Sequence, residues 1–308
     1  MIDLPAGYTA RPLVPTDAAA VVAVMAAQQL RDVGEVAIEL ADIESDWARP
    51  SFDLGAQTIG VLSGTATGEV LVGYAEVSGS SRGDACVHPD HEGRGIGTAL
   101  AAWMRRRARE RGEEWIGMPV PAGSAGDRLL AALGYEVRWD SWVLALPGDA
   151  VVPPRDLPTG YAVREARPEE YEQCWTVKED AFLEWSARER ESYADWAATV
   201  LGRPGFAPWN LRVVLDSDGS VVAMAHVVLA PITDGLEGYI GSLATRADQR
   251  GRGLAQALLA DAFATARAHG AVRCALDTDS RTGALGLYEK VGMVVTQTWR
   301  HRGIRVTA

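Results

Sequence analysis

The clearest alternation of apolar and polar positions lies in the second half of the chain. Leu211 to Leu215 and Val221 to Leu229 are β-branched apolar runs separated by Asp218-Gly219, which predicts two antiparallel strands joined by a tight turn. A third run, Tyr239 to Thr245, leads into a turn rich in arginine and glycine. Beyond it, Leu254, Leu258, Ala262 and Phe263 share one face at helical spacing, predicting a helix over Leu254 to His269. Cys274 to Thr278 reads as a strand, Thr282 to Val291 as a helix, and Met293 to Val306 as terminal strands. Ahead of these, Tyr161 to Glu165 alternates as a short strand. Pro168, followed by Glu169 and Glu170, opens a helix to about Lys178, and Glu189 to Leu201 reads as another. The order β-α-α-β-β-β-α-β-α-β fits an α/β fold, a mixed (α+β) sheet with helices on both faces.

The first half repeats this pattern. Leu4-Pro5-Ala6-Gly7-Tyr8 recurs as Leu157-Pro158-Thr159-Gly160-Tyr161, an offset of 153. Arg94-Gly95-Ile96-Gly97 recurs as Arg252-Gly253-Leu254-Ala255, and Leu133-Gly134-Tyr135 as Val291-Gly292-Met293, both at 158. Matches in one order at nearly constant offset indicate a duplication. The proline-rich stretch from Pro147 to Pro158 reads as the linker, giving domains at 1–148 and 155–308.

Composition narrows the function. Net charge is −11 and pI about 5.0, which argues against a nucleic-acid partner. The charge is uneven: residues 1–150 hold 12 basic and 21 acidic side chains, a balance of −9. Such a balance suits a cationic small molecule, and solubility alone accounts for it as well. No stretch reaches the roughly 20 apolar residues of a membrane span. Cys86, Cys174 and Cys274 lie far apart among apolar neighbours, read as reduced core residues rather than metal ligands. The expectation is a cytoplasmic protein without a bound metal; a homo-oligomer is compatible with the sequence.

The turn Arg250-Gly251-Arg252-Gly253-Leu254-Ala255 carries the chemistry. Glycines let the backbone fold tightly against a ligand, and the helix that follows offers unpaired N–H groups and a positive dipole end to a phosphate. A dinucleotide fold is the competing reading, but three strands precede this turn and no ribose-binding acid follows in a βαβ unit.

The turn resembles motif A of the GNAT superfamily, in which Arg or Gln is followed, after two residues, by Gly-x-Gly/Ala; Arg250, Gly253 and Ala255 fit it. Ala284-Leu285-Gly286-Leu287-Tyr288-Glu289-Lys290-Val291-Gly292-Met293 resembles the superfamily's motif B. The repeat extends the resemblance over nearly the whole chain, as two tandem GNAT-like domains of the mycothiol-synthase type. It implies transfer of acetyl from acetyl-CoA to an acceptor amine by direct attack. The amides from Arg250 to Ala255 would then hold the pyrophosphate, while Leu243, Ala244 and Thr245 would pair with the pantetheine arm and polarise the thioester carbonyl. Tyr288 takes the place of the general acid that protonates the departing thiolate, a role worth about 10²–10⁴ in rate. Glu237, just before the central strand, and His226 are candidates for the base that deprotonates the acceptor. Where relatives carry an Asn that touches pantetheine, this chain has Ser280-Arg281, so Ser280 or Asp279 is expected to replace it.

At the same offset Arg250 becomes Glu92, Tyr288 becomes Leu130, and Asp277 and Asp279 become Pro119 and Pro121. The first copy is therefore expected to be degenerate, with a surviving turn Gly93 to Gly97 able to bind CoA only weakly. Tyr171, Trp175, Phe182, Trp185, Tyr193, Trp196 and Trp209 read either as helix core or, with Glu184, as walls for a cationic acceptor. Two alternatives stay open: a non-catalytic CoA-binding sensor, and an acyltransferase acting on a peptide or protein amine.

Overall fold

The computed structural model describes residues 2–65, 68–79 and 81–306. The chain forms two compact units. Unit 1 comprises the residues up to Ser141 together with those from Thr298 onward, and unit 2 comprises Trp142–Gln297.

Unit 1 contains β1 (Tyr8–Arg11), α1 (Ala18–Val33), α2 (Leu40–Trp47), α3 (Leu54–Gln57), β2 (Thr58–Thr65), β3 (Gly68–Gly79), β4 (Arg82–Val87), α4 (Ile96–Glu110), β5 (Trp115–Pro121), α5 (Ala125–Ala132) and the first part of β6 (Glu136–Ala145). Strands β1 to β4 pair antiparallel in sequence order, and β4 meets β5 in parallel at Arg82↔Gly117. One sheet face packs on α1 and α2 through Val21, Val24, Ile43 and Tyr74. The other packs on α4 through Ile96, Leu100 and Met104.

Unit 2 continues with β7 (Ala162–Glu165), α6 (Tyr171–Leu183), α7 (Tyr193–Thr199), β8 (Leu211–Leu215), β9 (Val221–Ile232), β10 (Gly235–Thr245), α8 (Leu254–Ala268), β11 (Ala271–Asp279), α9 (Leu285–Lys290) and the start of β12 (Val294–Arg305). Its sheet repeats the plan of unit 1: β7, β8, β9 and β10 are antiparallel neighbours, and β10 is parallel to β11. The predicted face of α8 is its buried one, with Leu254, Leu258, Ala262 and Phe263 all under 3% exposed. Each large member stabilises the fold by roughly 1.5–3 kcal/mol, and Phe263→Ala would cost about 3–5 kcal/mol. The opposite face carries α6 and α7, whose Cys174, Val177 and Trp196 meet Val213 and Met224. Tyr171, Trp175, Phe182 and Tyr193 join this core, and Trp209 packs against that of α8.

Two expectations are corrected. The segment from Glu189 is not helical until Tyr193. The cause is Glu179, fully buried on α6, which accepts from Arg188, Lys178 and the Glu191 amide. Burial opposes its charge, but these donors outweigh that and hold its carboxyl down at about 2. The chain from Arg188 to Glu191 is wrapped around a carboxylate and cannot coil. Secondly, the terminal segment does not complete the second copy alone. From Trp299 to Arg305, β12 pairs antiparallel with β5 and so belongs to unit 1, a division unlike the one the linker suggests. It is fastened there by Asp127, whose carboxylate accepts from the Gly123 amide, Arg300 and Arg302. Within unit 2, Thr296 Oγ1 donates to the carbonyl of Val143 and the Leu146 amide to that of Cys274. Cys86, Cys174 and Cys274 are buried, unpaired core residues.

Candidate active site

Strand β10 ends at Thr245 and the chain reaches α8 through Arg250-Gly251-Arg252-Gly253. Gly251 and Gly253 have φ of 76° and 80°, a left-handed backbone that glycine adopts without strain. Gly253 is the N-cap of α8, so the amides of the helix's first turn have no intrahelical acceptor and point out of its end. A Cβ at Gly253 would lie 2.7 Å from Cγ of Arg155, which lays a guanidinium stem against the turn. Nothing in the local sequence pattern singled out Arg155, which comes from the proline-rich segment.

Both turn arginines are engaged. Arg250 forms a two-pronged ion pair with Glu184 at 2.6 and 2.7 Å. Arg252 donates to the hydroxyl of Tyr161, which donates to Gln249. The repeated Leu-Pro-x-Gly-Tyr motif thus supplies the tyrosine that steadies the turn. Unit 1 builds the same device: Arg94 donates to the Tyr8 hydroxyl beside His91, and Gly93 and Gly95 have φ of 68° and 87°. Its charges are exchanged, because Glu92 pairs with Arg31 from α1 where Arg250 pairs with Glu184, the residue that caps the end of α6. Glu92 is therefore not a bare carboxylate at the turn, as the sequence comparison implied. Unit 1 also has a half-open cavity of about 290 Å³, lined by Cys86 and Val87 of β4, Ile96 of α4, Pro119 of β5 and Leu130 of α5.

In unit 2 the parallel pairing of β10 with β11 stops at Ile240↔Leu276, and a bulge interrupts the β9 side between Ile240 and Ser242. From Gly241 onward the two strands part. Leu243 packs toward α8, Ala244 is buried toward α6, and the Thr245 carbonyl accepts from Arg250. This opens a fork with the helix N-terminus beyond it.

Three titratable side chains, His226, Tyr288 and Asp277, lie about the fork, and a fourth, Glu237, lies before it in the paired part of β10. His226 on β9 is 8% exposed, with its ring over Gly241, and among the described residues it has no hydrogen-bond partner. Burial first, then Arg203 and Lys178, push its pKa down to about 4, so it is neutral near pH 7. Tyr288 on α9 is 7% exposed, and its hydroxyl likewise has no partner among the described residues. Burial, then the field of Asp277, push it up to about 12. Asp277 is exposed on β11 and accepts from the Tyr239 hydroxyl at 2.5 Å. Glu237 lies inside β10 rather than before it, and its carboxylate is taken by Arg273 on β11. Ser280, the first residue after β11, is exposed, whereas Asp279 at the end of the strand is held by Arg281. Trp185 lies over that same Arg281, 4.8 Å from guanidinium to ring centre. Among the described residues no group of three or more His, Cys, Asp or Glu is placed to hold a metal, and no helix is long and apolar enough to cross a membrane.

The sequence pattern of the Acetyltransferase (GNAT) family matches residues 161–293, and that of FR47-like protein matches residues 58–143. The chain belongs to the GNAT acetyltransferases. As such it is an acetyl-CoA-dependent acyltransferase, built from two domains. This acetyltransferase is 27% identical over 277 residues to the mycothiol acetyltransferase of Thermobispora bispora, covering 83% of this chain and 90% of the relative. It is 28% identical over 250 residues to that of Cellulomonas flavigena, covering 75% and 70%. Among solved structures it resembles a GCN5-related N-acetyltransferase from Sphaerobacter thermophilus, with a TM-score of 0.74, 27% identity and coverage of 99% and 98%. A tandem GNAT protein from the clavulanic acid biosynthesis pathway shares the fold at a TM-score of 0.71 and 18% identity, over 98% and 99% of the two chains.

Proposed function

We propose that unit 2 transfers acetyl from acetyl-CoA to the amine of a small-molecule acceptor by direct attack, without an acyl-enzyme. The observation that carries this is the fork between β10 and β11, with the hydroxyl of Tyr288, unpartnered among the described residues, beside it and the open N-terminus of α8 beyond. The amides from Gly251 to Ala255, assisted by Arg155 and Arg252, hold the pyrophosphate. Leu243 to Thr245 offer strand amides to the pantetheine arm and to the carbonyl oxygen that turns anionic on attack. Tyr288 donates to the leaving sulfur. Of the two bases expected from sequence, His226 is better placed than Glu237, because it is neutral and stands over the fork, while Arg273 occupies the carboxylate of Glu237. Exposed Ser280 is the polar contact at the end of β11.

The amine acetylated by the mycothiol acetyltransferases is the first acceptor to try, given their similarity along most of this chain. Unit 1 keeps the turn and a cavity at the same place in its plan. With Leu130 for the tyrosine and Pro119 and Pro121 for strand amides, it is read as non-transferring.

The test is calorimetric titration with acetyl-CoA, followed by free-thiol release over a panel of small amines and peptides. Binding with turnover on small amines supports the reading. Binding without turnover on any acceptor favours a sensor, turnover on peptides alone favours a protein-directed transferase, and failure to bind overturns the reading.

A further inference from the structure

On the reading of unit 2 as the transferring unit, we infer that the Asp277 carboxylate, steadied by Tyr239, docks the acceptor ammonium and takes its first proton. The position carries the argument. Leu276 is the last residue of β11 in register with β10, so Asp277 is the first beyond the fork, where the thioester must lie. Cys274 and Leu276 pack under α8. Side chains alternate along a strand, so Asp277 points to the opposite face, where α6, α7 and His226 stand. Tyr239 reaches Asp277 on that face from the neighbouring strand. Asp277 is exposed, so an entering ligand can touch it.

Chemistry supplies the rest. The nitrogen of an alkylamine arrives as an ammonium, and it attacks only after losing a proton. His226 is neutral and can accept a hydrogen bond but offers no charge to a cation. Asp277 offers the charge. The first proton passes from the ammonium to Asp277 and on to solvent. The freed lone pair forms the C–N bond as the C–S bond breaks. The second proton leaves the nitrogen as the amide forms and ends on the coenzyme sulfur by way of Tyr288. Tyr239 is a positioning residue, fixing the carboxylate through one hydrogen bond.

The test uses the full chain, acetyl-CoA, and two small hydroxyl-bearing acceptors: ethanolamine, cationic near neutral pH, and hydroxylamine, which is uncharged there. Asp277→Asn should slow acetylation of ethanolamine about 100-fold, and of hydroxylamine far less, with acetyl-CoA affinity unchanged. Asp277→Glu should recover part of the ethanolamine rate. Tyr239→Phe should lower the ethanolamine-to-hydroxylamine ratio about tenfold, since it loses one hydrogen bond to a charged group. Equal losses on both acceptors, or none, overturn the inference. So does a wild-type chain that binds acetyl-CoA yet acetylates only hydroxylamine. If acetyl-CoA itself does not bind, the reading of unit 2 fails first and this inference with it.

Discussion

Removing one oxygen from Tyr288 tests the acid role with little structural disturbance. The side chain is 7% exposed and packed in the α8 core, and its hydroxyl bonds to nothing among the described residues. Tyr288→Phe therefore leaves no orphaned partner and should keep the melting temperature. The expected kinetic loss is smaller than the full range for general acids. Tyr288 sits at about 12. A thiol has a pKa of about 8.5, so complete transfer from the phenol to a relaxed thiolate is uphill by about 3.5 units, or roughly 5 kcal/mol. The phenol must act chiefly by a hydrogen bond to the departing sulfur, its own proton replaced by the one the nitrogen sheds. A hydrogen bond to a charged group is worth about 1.5–3 kcal/mol, a factor of about 10 to 150 in rate. Thiol release at saturating acetyl-CoA should thus fall 10- to 150-fold, while calorimetric affinity for acetyl-CoA stays within about twofold. A loss under threefold, or a matching loss of affinity, would refute the role.

Three further outcomes are expected. Gly253→Ala forces a side chain into φ of 80° and pushes Arg155 aside, costing about 1–2 kcal/mol; acetyl-CoA affinity should drop about tenfold by calorimetry. Glu76, buried beside the Tyr74 hydroxyl that donates to it, is raised to about 7, chiefly by burial. A raised acid contributes stability below its unfolded value near 4.5 that is lost as pH rises through 7, so Glu76→Gln should stabilise the protein above pH 7 by about 3 kcal/mol and have no such effect below pH 4.5; urea melts at both pH values check the sign. Arg302→Ala strips one guanidinium from Asp127, whose side chain is 4% exposed, and should cost about 3 kcal/mol in the same melts.

Local signals made much of this molecule readable. The bounds of β8, the buried face of α8 and the glycine turn follow from short-range periodicity and from backbone freedom that only glycine has. The repeat motif around Tyr161 is visible too, although its purpose, holding Arg252, depends on a contact across 91 residues of sequence. What escaped were pairings between distant residues. Tyr239 and Asp277 are 38 residues apart, and no spacing rule brings neighbouring strands into register. The exchange of charge between Arg31–Glu92 and Glu184–Arg250 involves two elements per unit, so aligning the turns alone made Glu92 look hostile to an anion. The wrapped segment after Arg188 carries helix-forming residues, and a buried carboxylate on another element overrode them.

The membership of β12 bears on how the protein is made. Synthesis delivers β5 long before its neighbour: 178 residues separate Pro121 from Trp299. At about 5–20 residues per second, the edge of β5 waits some 9 to 35 seconds on the ribosome. Unit 1 thus begins to emerge before unit 2 and is completed only after it, and a nascent chain released before Trp299 would leave it with an open strand and with Asp127 lacking both of its arginines.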